Sequence, residues 1–252
     1  MSTEHEQLQW VYGFHAVEAL LDRHPRRVKQ LYVQDNREDQ RIASLLSAAR
    51  QAGVTSTAVS KSELQAVADG NHQGVAAQCS PAQVRNENEL EDYLSGLSGS
   101  ALVLVLDGVT DPHNLGACIR SAEAAGADAV VIPKDKSAGL NATVRKVACG
   151  AAELLPVFRV TNLARSLRQL KRMGLWVSGL AGEVESTLYD LDLTVPTVLV
   201  MGAEGKGLRQ LSRKECDYLV KIPMPGRVES LNVSVGAGVA LFEASRQRAA
   251  AG

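Results

Sequence analysis

The chain has 252 residues, 45% of them hydrophobic and 22% charged, with a formal net charge of −1. At roughly 100–200 residues per domain, that length allows one large or two small domains. The near-zero charge excludes a globally basic nucleic-acid binder, so any such site must be a local patch of Lys and Arg.

Two modules are predicted in chain order. "GFHAVEALLDRH" (13–24) reads as a helix, "VKQLYV" (28–33) as a strand, and "EDQRIASLLSAARQAG" (38–53) as a helix closed by Gly53. "VTSTAV" (54–59) is a strand, "SKSELQAVADG" (60–70) a helix capped by Ser60 or Ser62, and "GVAAQC" (74–79) a strand. This alternation fits a small α/β domain over residues 1–80. "SPAQVRNENELEDYLSG" is polar with little apolar periodicity before Leu90, and residues 81–100 read as a linker entering a short helix.

The second module, 101–252, opens with "ALVLVLD", a continuous apolar run expected of a strand covered on both faces. Helices follow at "NLGACIRSAEAAG" (114–126), "NATVRKVACGAAE" (141–153), "TNLARSLRQLKRMG" (161–174) and "NVSVGAGVALFEASRQRA" (232–249). Strands are expected at "DAVVIP" (128–133), "LWVSGLA" (175–181), "TVLVMG" (197–202) and "YLVKIPM" (218–224). Alternating strands and helices imply a parallel, doubly covered sheet. No internal repeat or low-complexity tract is present.

Cys79, Cys118, Cys149 and Cys216 are far apart and form no C-x-x-C pair, which favours reduced buried thiols over zinc ligation or disulfides. The five histidines are scattered, so no metal site is expected. The polar start "MSTEHEQLQW" has no signal-peptide core, and no apolar run reaches the ~20 residues of a membrane helix. A cytoplasmic protein without a membrane partner is expected.

Ligands of an open parallel sheet collect beyond the carboxyl ends of its strands. Three segments rich in polar and glycine residues fall there: "DGVTDPHNLGACIRSAEAAG" (107–126), "MGAEGKGL" (201–208) and "IPMPGRVESLNVSVGAGVAL" (222–241). Each polar residue in them has a structural reading beside a functional one. Asn114 can be the N-cap of its helix, Arg120 an ion-pair partner of Glu123 or Glu204, and Ser230 and Asn232 capping residues. Glu204 can be a solvated loop acid, and His113 a turn residue. "GAEGKGL" lacks the spacing of G-x-x-x-x-G-K-[ST] and has no hydroxyl after Lys206, so it is no P-loop. A dinucleotide fold needs its glycine turn after the first strand, where only Gly108 is available.

In order and spacing, "NLGACIRSAEAAG", "MGAEGKGL" and "IPMPGRVESLNVSVGAGVALFEA" resemble the three motifs of the SpoU-type RNA ribose methyltransferases of the SPOUT superfamily. "GFHAVEALL" and "NHQGVAA" (71–77) resemble that family's N-terminal substrate-binding domain, of the L7Ae/L30e ribosomal-protein type. The resemblance implies a C-terminal SPOUT domain with a deep trefoil knot, dimerising through that domain to form a homodimer. It implies methyl transfer from S-adenosylmethionine to a ribose 2′-hydroxyl, leaving S-adenosylhomocysteine and needing no metal. "DGVTDPHNLGACIRSA" and "KVACGAAE" are similar to members acting on a guanosine of large-subunit (23S) ribosomal RNA. The same chemistry on tRNA or another rRNA nucleotide, or an inactive RNA-binding homologue, are the alternatives. Carried over residue by residue, the catalytic set is Asn114, Arg120, Glu204, Ser230 and Asn232, and the cofactor set is Gly202, Ile222, Met224 and Leu231. The resemblance implies a role for Arg120 as base assisted by RNA phosphate, but a guanidinium is a poor base, so Arg120 is expected to clamp a phosphate and stabilise the developing alkoxide. Asn114 and Glu204 are expected to orient it, and Ser230 and Asn232 to shape the ribose site. Gly202 is expected to let the backbone approach the cofactor, and "RHPRRVK" (23–29) to be a basic patch for RNA.

Overall fold

The computed structural model describes residues 8–37, 39–68 and 71–251. Readings that touch residues 1–7, Glu38 and residues 69–70 lie outside these. The chain divides into two units, Met1–Gln83 with Cys149–Leu154, and Val84–Ala148 with Leu155–Gly252.

In the first unit, β1 (Gln9–Tyr12), β2 (Val28–Gln34), β3 (Ser56–Val59) and β4 (Val75–Cys79) form a sheet in the order β1-β4-β2-β3. Only β2 and β3 run parallel. The sheet is joined by α1 (Phe14–Arg23), α2 (Gln40–Gln51), α3 (Lys61–Val67) and α7 (Ala151–Leu154). Phe14, Val17, Leu20 and Leu21 of α1 enter the same core as Ile42 and Leu45 of α2 and Leu154 of α7. Ser60, not Ser62, caps α3 in a capping box with Glu63. β1 is a strand the sequence did not reveal: four residues are too few for a pattern, and pairing with β4 is what makes them extended. Arg27 is also not the surface cation expected of it. It donates to Ser80 O (2.8 Å), Glu153 O (2.6 Å) and the buried Glu153 carboxylate, which also accepts from the Ala82 amide at 2.6 Å. A buried carboxylate held this way leaves Arg27 committed to the fold.

The second unit is built on seven parallel strands: β5 (Arg85–Asn86), β6 (Leu102–Asp107), β7 (Ala129–Pro133), β8 (Val157–Val160), β9 (Trp176–Leu180), β10 (Thr197–Gly202) and β11 (Tyr218–Val220). Their order is β11-β9-β10-β6-β7-β8-β5. Every residue of β6 and β7 is buried, which explains their unbroken apolar sequence. The helices are α4 (Asn88–Ser95), α5 (Pro112–Ala124), α6 (Ala142–Ala148), α8 (Leu163–Arg172), α9 (Gln210–Glu215) and α10 (Val233–Ala251). Leu90 and Leu94 of α4 lie in the core of this unit.

Three sequence expectations change. The helix expected over 141–153 breaks at Cys149 and Gly150, both with positive φ (50° and 90°), into α6 and α7. The helix expected from Asn114 starts two residues earlier at Pro112, capped by Asp111, whose side chain accepts from the His113 amide at 2.9 Å. β8 and α9 were not foreseen, being four and six residues long.

Candidate active site

β10 lies between β9 and β6, so the sheet changes direction of travel beside β6, where a crevice opens beyond the carboxyl ends. A cleft of about 840 Å³ occupies that place, within the range of small-molecule sites. Gly202, Ile222, Met224 and Leu231 line it, and so do Glu204, Ser230 and Asn232.

The glycine turn is a closed structure. Ala203 N donates to Gly207 O (3.1 Å), and Lys206 N and Gly207 N donate to Ala203 O (3.3 and 2.9 Å). Gly205 and Gly207 take φ of 71° and 61°, the region that favours glycine. Gly202 also has a reason inside the chain to be glycine. A Cβ there would lie 2.2 Å from Gly207 C and 2.4 Å from Leu208 N, so the obstacle is the chain's own backbone folding back.

Glu204 projects from this turn and meets two amides. Its Oε1 accepts from Asn114 Nδ2 (3.1 Å) and from Asn232 Nδ2 (2.7 Å), and Asn232 Nδ2 also donates to Asn114 Oδ1 (2.9 Å). Asn114 is buried inside α5, so it is not the cap of that helix. Asn232 performs both of its candidate tasks: its Oδ1 accepts from the Ser234 amide (2.9 Å) and hydroxyl (2.6 Å), capping α10, while its amide holds Glu204. Oε1 is thus the oxygen through which the Glu204 carboxylate is anchored. Burial, reinforced by the Glu204 charge, pushes the neighbouring Cys118 thiol up to about 12, so it stays a neutral thiol.

Arg120 sits six residues beyond Asn114 on α5, with its side chain exposed. Asn114 and Asn232 each donate a bond that orients Glu204. Asn114, Glu204 and Asn232 are brought together in hydrogen bonds, and Ser230 lies along the cleft. Sequence reasoning missed Ser234, Glu183 and the buried Asp107. Glu183 lines the cleft, paired with Arg213. The one available signal for Asp107 was a carboxylate closing an otherwise apolar strand. Among the described residues no group of three or more His, Cys, Asp or Glu is arranged to hold a metal.

A cleft beyond parallel strand ends, edged by a glycine turn and an anchored carboxylate, defines an α/β enzyme that binds a small molecule at the switch point of its sheet. The sequence model of the SpoU rRNA Methylase family matches residues 101–242, and that described as RNA 2'-O ribose methyltransferase substrate binding matches residues 10–85. The chain belongs to the SpoU rRNA Methylase family. It is 60% identical, over 95% of its length and 98% of the relative, to the 23S rRNA (guanosine-2'-O-)-methyltransferase RlmB of Pseudomonas aeruginosa. It is 51% identical to the protein of that name from Escherichia coli K12, covering 95% of this chain and 99% of the relative. The fold is shared with the SpoU methyltransferase AviRb of Streptomyces viridochromogenes, solved with AdoMet, at a TM-score of 0.69. That likeness has 24% identity and covers 96% of this chain and 90% of the other.

Proposed function

We propose that this protein transfers a methyl group from S-adenosylmethionine to the ribose 2′-hydroxyl of a guanosine in 23S ribosomal RNA. The observation that carries the reading is the Asn114–Glu204–Asn232 network at the edge of the cleft. The cleft's chemistry suits a cationic cofactor: Ile222, Met224 and Leu231 supply apolar surface, and Glu204 and Glu229 line it beside Glu183, which Arg213 pairs, with Lys221 the one cation among the lining residues. When bound, S-adenosylmethionine supplies an electrophilic methyl group. The protein's own work is to orient the hydroxyl and manage its proton. Glu204 Oε2 accepts the hydrogen bond of that hydroxyl, held in place through Oε1 by two amides. Arg120 pairs with a neighbouring phosphate and stabilises charge on the ribose oxygen. Ser230 and Asn232 border the ribose, and Gly202, Ile222, Met224 and Leu231 hold the cofactor.

The same reading includes an RNA-binding domain over 1–80 and a knotted catalytic domain over 101–252, joined through residues 81–100, which carry β5 and α4 of the second unit, and it has the protein working in the cytoplasm as a homodimer. Insertion of β10 between β9 and β6 supports a knot. Exposed Val228, Val235 and Phe242, on α10 and the segment before it, support a dimer face there. RNA affinity falls to Arg23, Arg26 and Lys29, the exposed cations of 23–29. The test is labelled methyl transfer to 23S rRNA that lacks the modification, followed by mapping. Incorporation at one guanosine 2′-oxygen is expected. No incorporation, or incorporation into tRNA instead, overturns the assignment.

A further inference from the structure

Asp107, the last residue of β6, is wholly buried, a place where a carboxylate needs its charge met by hydrogen bonds. Its register partner on β10 is Gly202, which opens the glycine turn. Asp107 Oδ2 accepts from the Arg209 backbone amide at 2.9 Å, and Oδ1 accepts from Arg209 Nε in an ion pair. Arg209 stands just past the turn, at the N-cap of α9, and Leu208 before it packs against the core of the unit. The turn is therefore fixed at its entrance by β10, closed on itself by Ala203 and Gly207, and fastened at its exit by Asp107. Glu204 projects from the middle of that closed loop.

We propose that Asp107 is a positioning residue for the reaction: through Arg209 it holds the 203–208 turn, and with it the Glu204 carboxylate and the cleft wall at Gly202. The proposal rests on the methyltransferase reading of the cleft. Neither Asp107 nor Arg209 lines the cleft. β6 itself is held by an unbroken register with β10 from Leu102 to Asp107. Losing the fastening therefore frees the turn more than it loosens the sheet. Arg209 is 43% exposed at its side chain, so its charge is not stranded in the interior when Asp107 is neutralised.

Asp107→Asn tests this with almost no change of volume. One amide oxygen can still accept from the Arg209 backbone, but the new NH₂ then faces Arg209 Nε, donor against donor. Adding Arg209→Gln gives that NH₂ an acceptor and restores a neutral pair. The readouts on the full chain are kcat, KM for RNA, affinity for S-adenosylhomocysteine by calorimetry, and amide hydrogen exchange at Ala203 and Gly207. Asp107→Asn is expected to lower kcat and S-adenosylhomocysteine affinity by about tenfold or more, the size of one lost charged hydrogen bond. KM for RNA should hold, exchange in the turn should quicken, and the double variant should recover most of these losses. Arg209→Ala, which keeps the backbone bond, should show a smaller loss in the same readouts and serves if Asp107→Asn does not fold. Wild-type kcat and turn protection in folded Asp107→Asn, or in Arg209→Ala where that variant must stand in, overturns the proposal. So does a double variant as impaired as the single one. Wild-type protein that takes up no S-adenosylhomocysteine instead sinks the reading of the cleft, and the exchange data then decide the positioning claim by themselves.

Discussion

Replacing Gly202 by alanine separates a constraint imposed by the chain from one imposed by a ligand. The added Cβ would stand 2.2 Å from Gly207 C, 2.4 Å from Leu208 N and 2.5 Å from Gly207 O, all backbone atoms. Ordinary contact between carbon atoms is about 3.5–4.0 Å, so the returning limb must retreat by about 1–2 Å. The reciprocal bonds of Ala203 and Gly207, at 3.1 and 2.9 Å, cannot survive that movement. Overpacking costs about 1–3 kcal/mol and each lost bond about 1 kcal/mol, so the closed turn is destabilised by about 3–5 kcal/mol. A displacement of 1 Å at a catalytic group is worth roughly a hundredfold in rate. Gly202→Ala is therefore expected to lose about two orders of magnitude in methyl transfer and to melt below wild type. Initial rates with labelled cofactor, calorimetry with S-adenosylhomocysteine and a thermal melt give the three readings. Lost cofactor binding at an unchanged melting temperature would refute the reasoning, because the new methyl would then be obstructing the ligand and not the backbone.

Glu204→Gln keeps an oxygen that can accept from Asn114 and Asn232 but turns the other oxygen into a donor. Methyl transfer should fall by about a hundredfold or more with S-adenosylhomocysteine affinity nearly unchanged, measured by single-turnover rates beside calorimetry. Gly116→Ala would place a Cβ 2.7 Å from both Val144 O and Val147 Cβ where α5 crosses α6. It should destabilise the second unit by about 1–3 kcal/mol, read as a lower urea midpoint. The Arg246 guanidinium, with Gln247, holds the Glu243 carboxyl down at about 2 from an ordinary value of 4.5. A depressed carboxylate contributes stability that is full above its unfolded pKa and is lost as pH falls through the folded one. Melting temperature should therefore decline between pH 4.5 and 2 more steeply in wild type than in Glu243→Gln. The difference should be small and should shrink with salt, since Arg246 is 66% exposed.

The parallel sheet was legible because strands covered on both faces must be apolar throughout, as "LVLVLD" and "AVVIP" are. β8 was hidden for the opposite reason: "VFRV" exposes Arg159, follows Pro156 directly, and is extended because β7 and β5 flank it. Asn114 shows the limit of reading caps locally. Asp111 and Asn114 have the same capping chemistry three residues apart, and Pro112 at the first helical position is what favours Asp111. Once Asp111 caps the helix, Asn114 lies a turn inside and its amide is available for tertiary contacts. Its partners are 90 and 118 residues away in sequence, so no local pattern could name them.

The same distinction resolves the glutamate in the glycine turn. A phosphate cradle needs backbone amides aimed at the ligand, but here Ala203, Lys206 and Gly207 spend theirs on the turn's own carbonyls. Lys206 is exposed and is not among the residues of the cleft. What the turn presents to the cleft is the Glu204 carboxylate, with one oxygen anchored by two amides from α5 and the α10 cap. A carboxylate fixed by neutral donors keeps its charge for the ligand, whereas one fixed by an arginine would have much of that charge neutralised. Glu183, paired with Arg213 on the same cleft, is the internal contrast. Of these two carboxylates on the cleft, the one held by amides is the one whose charge is left for a cationic ligand.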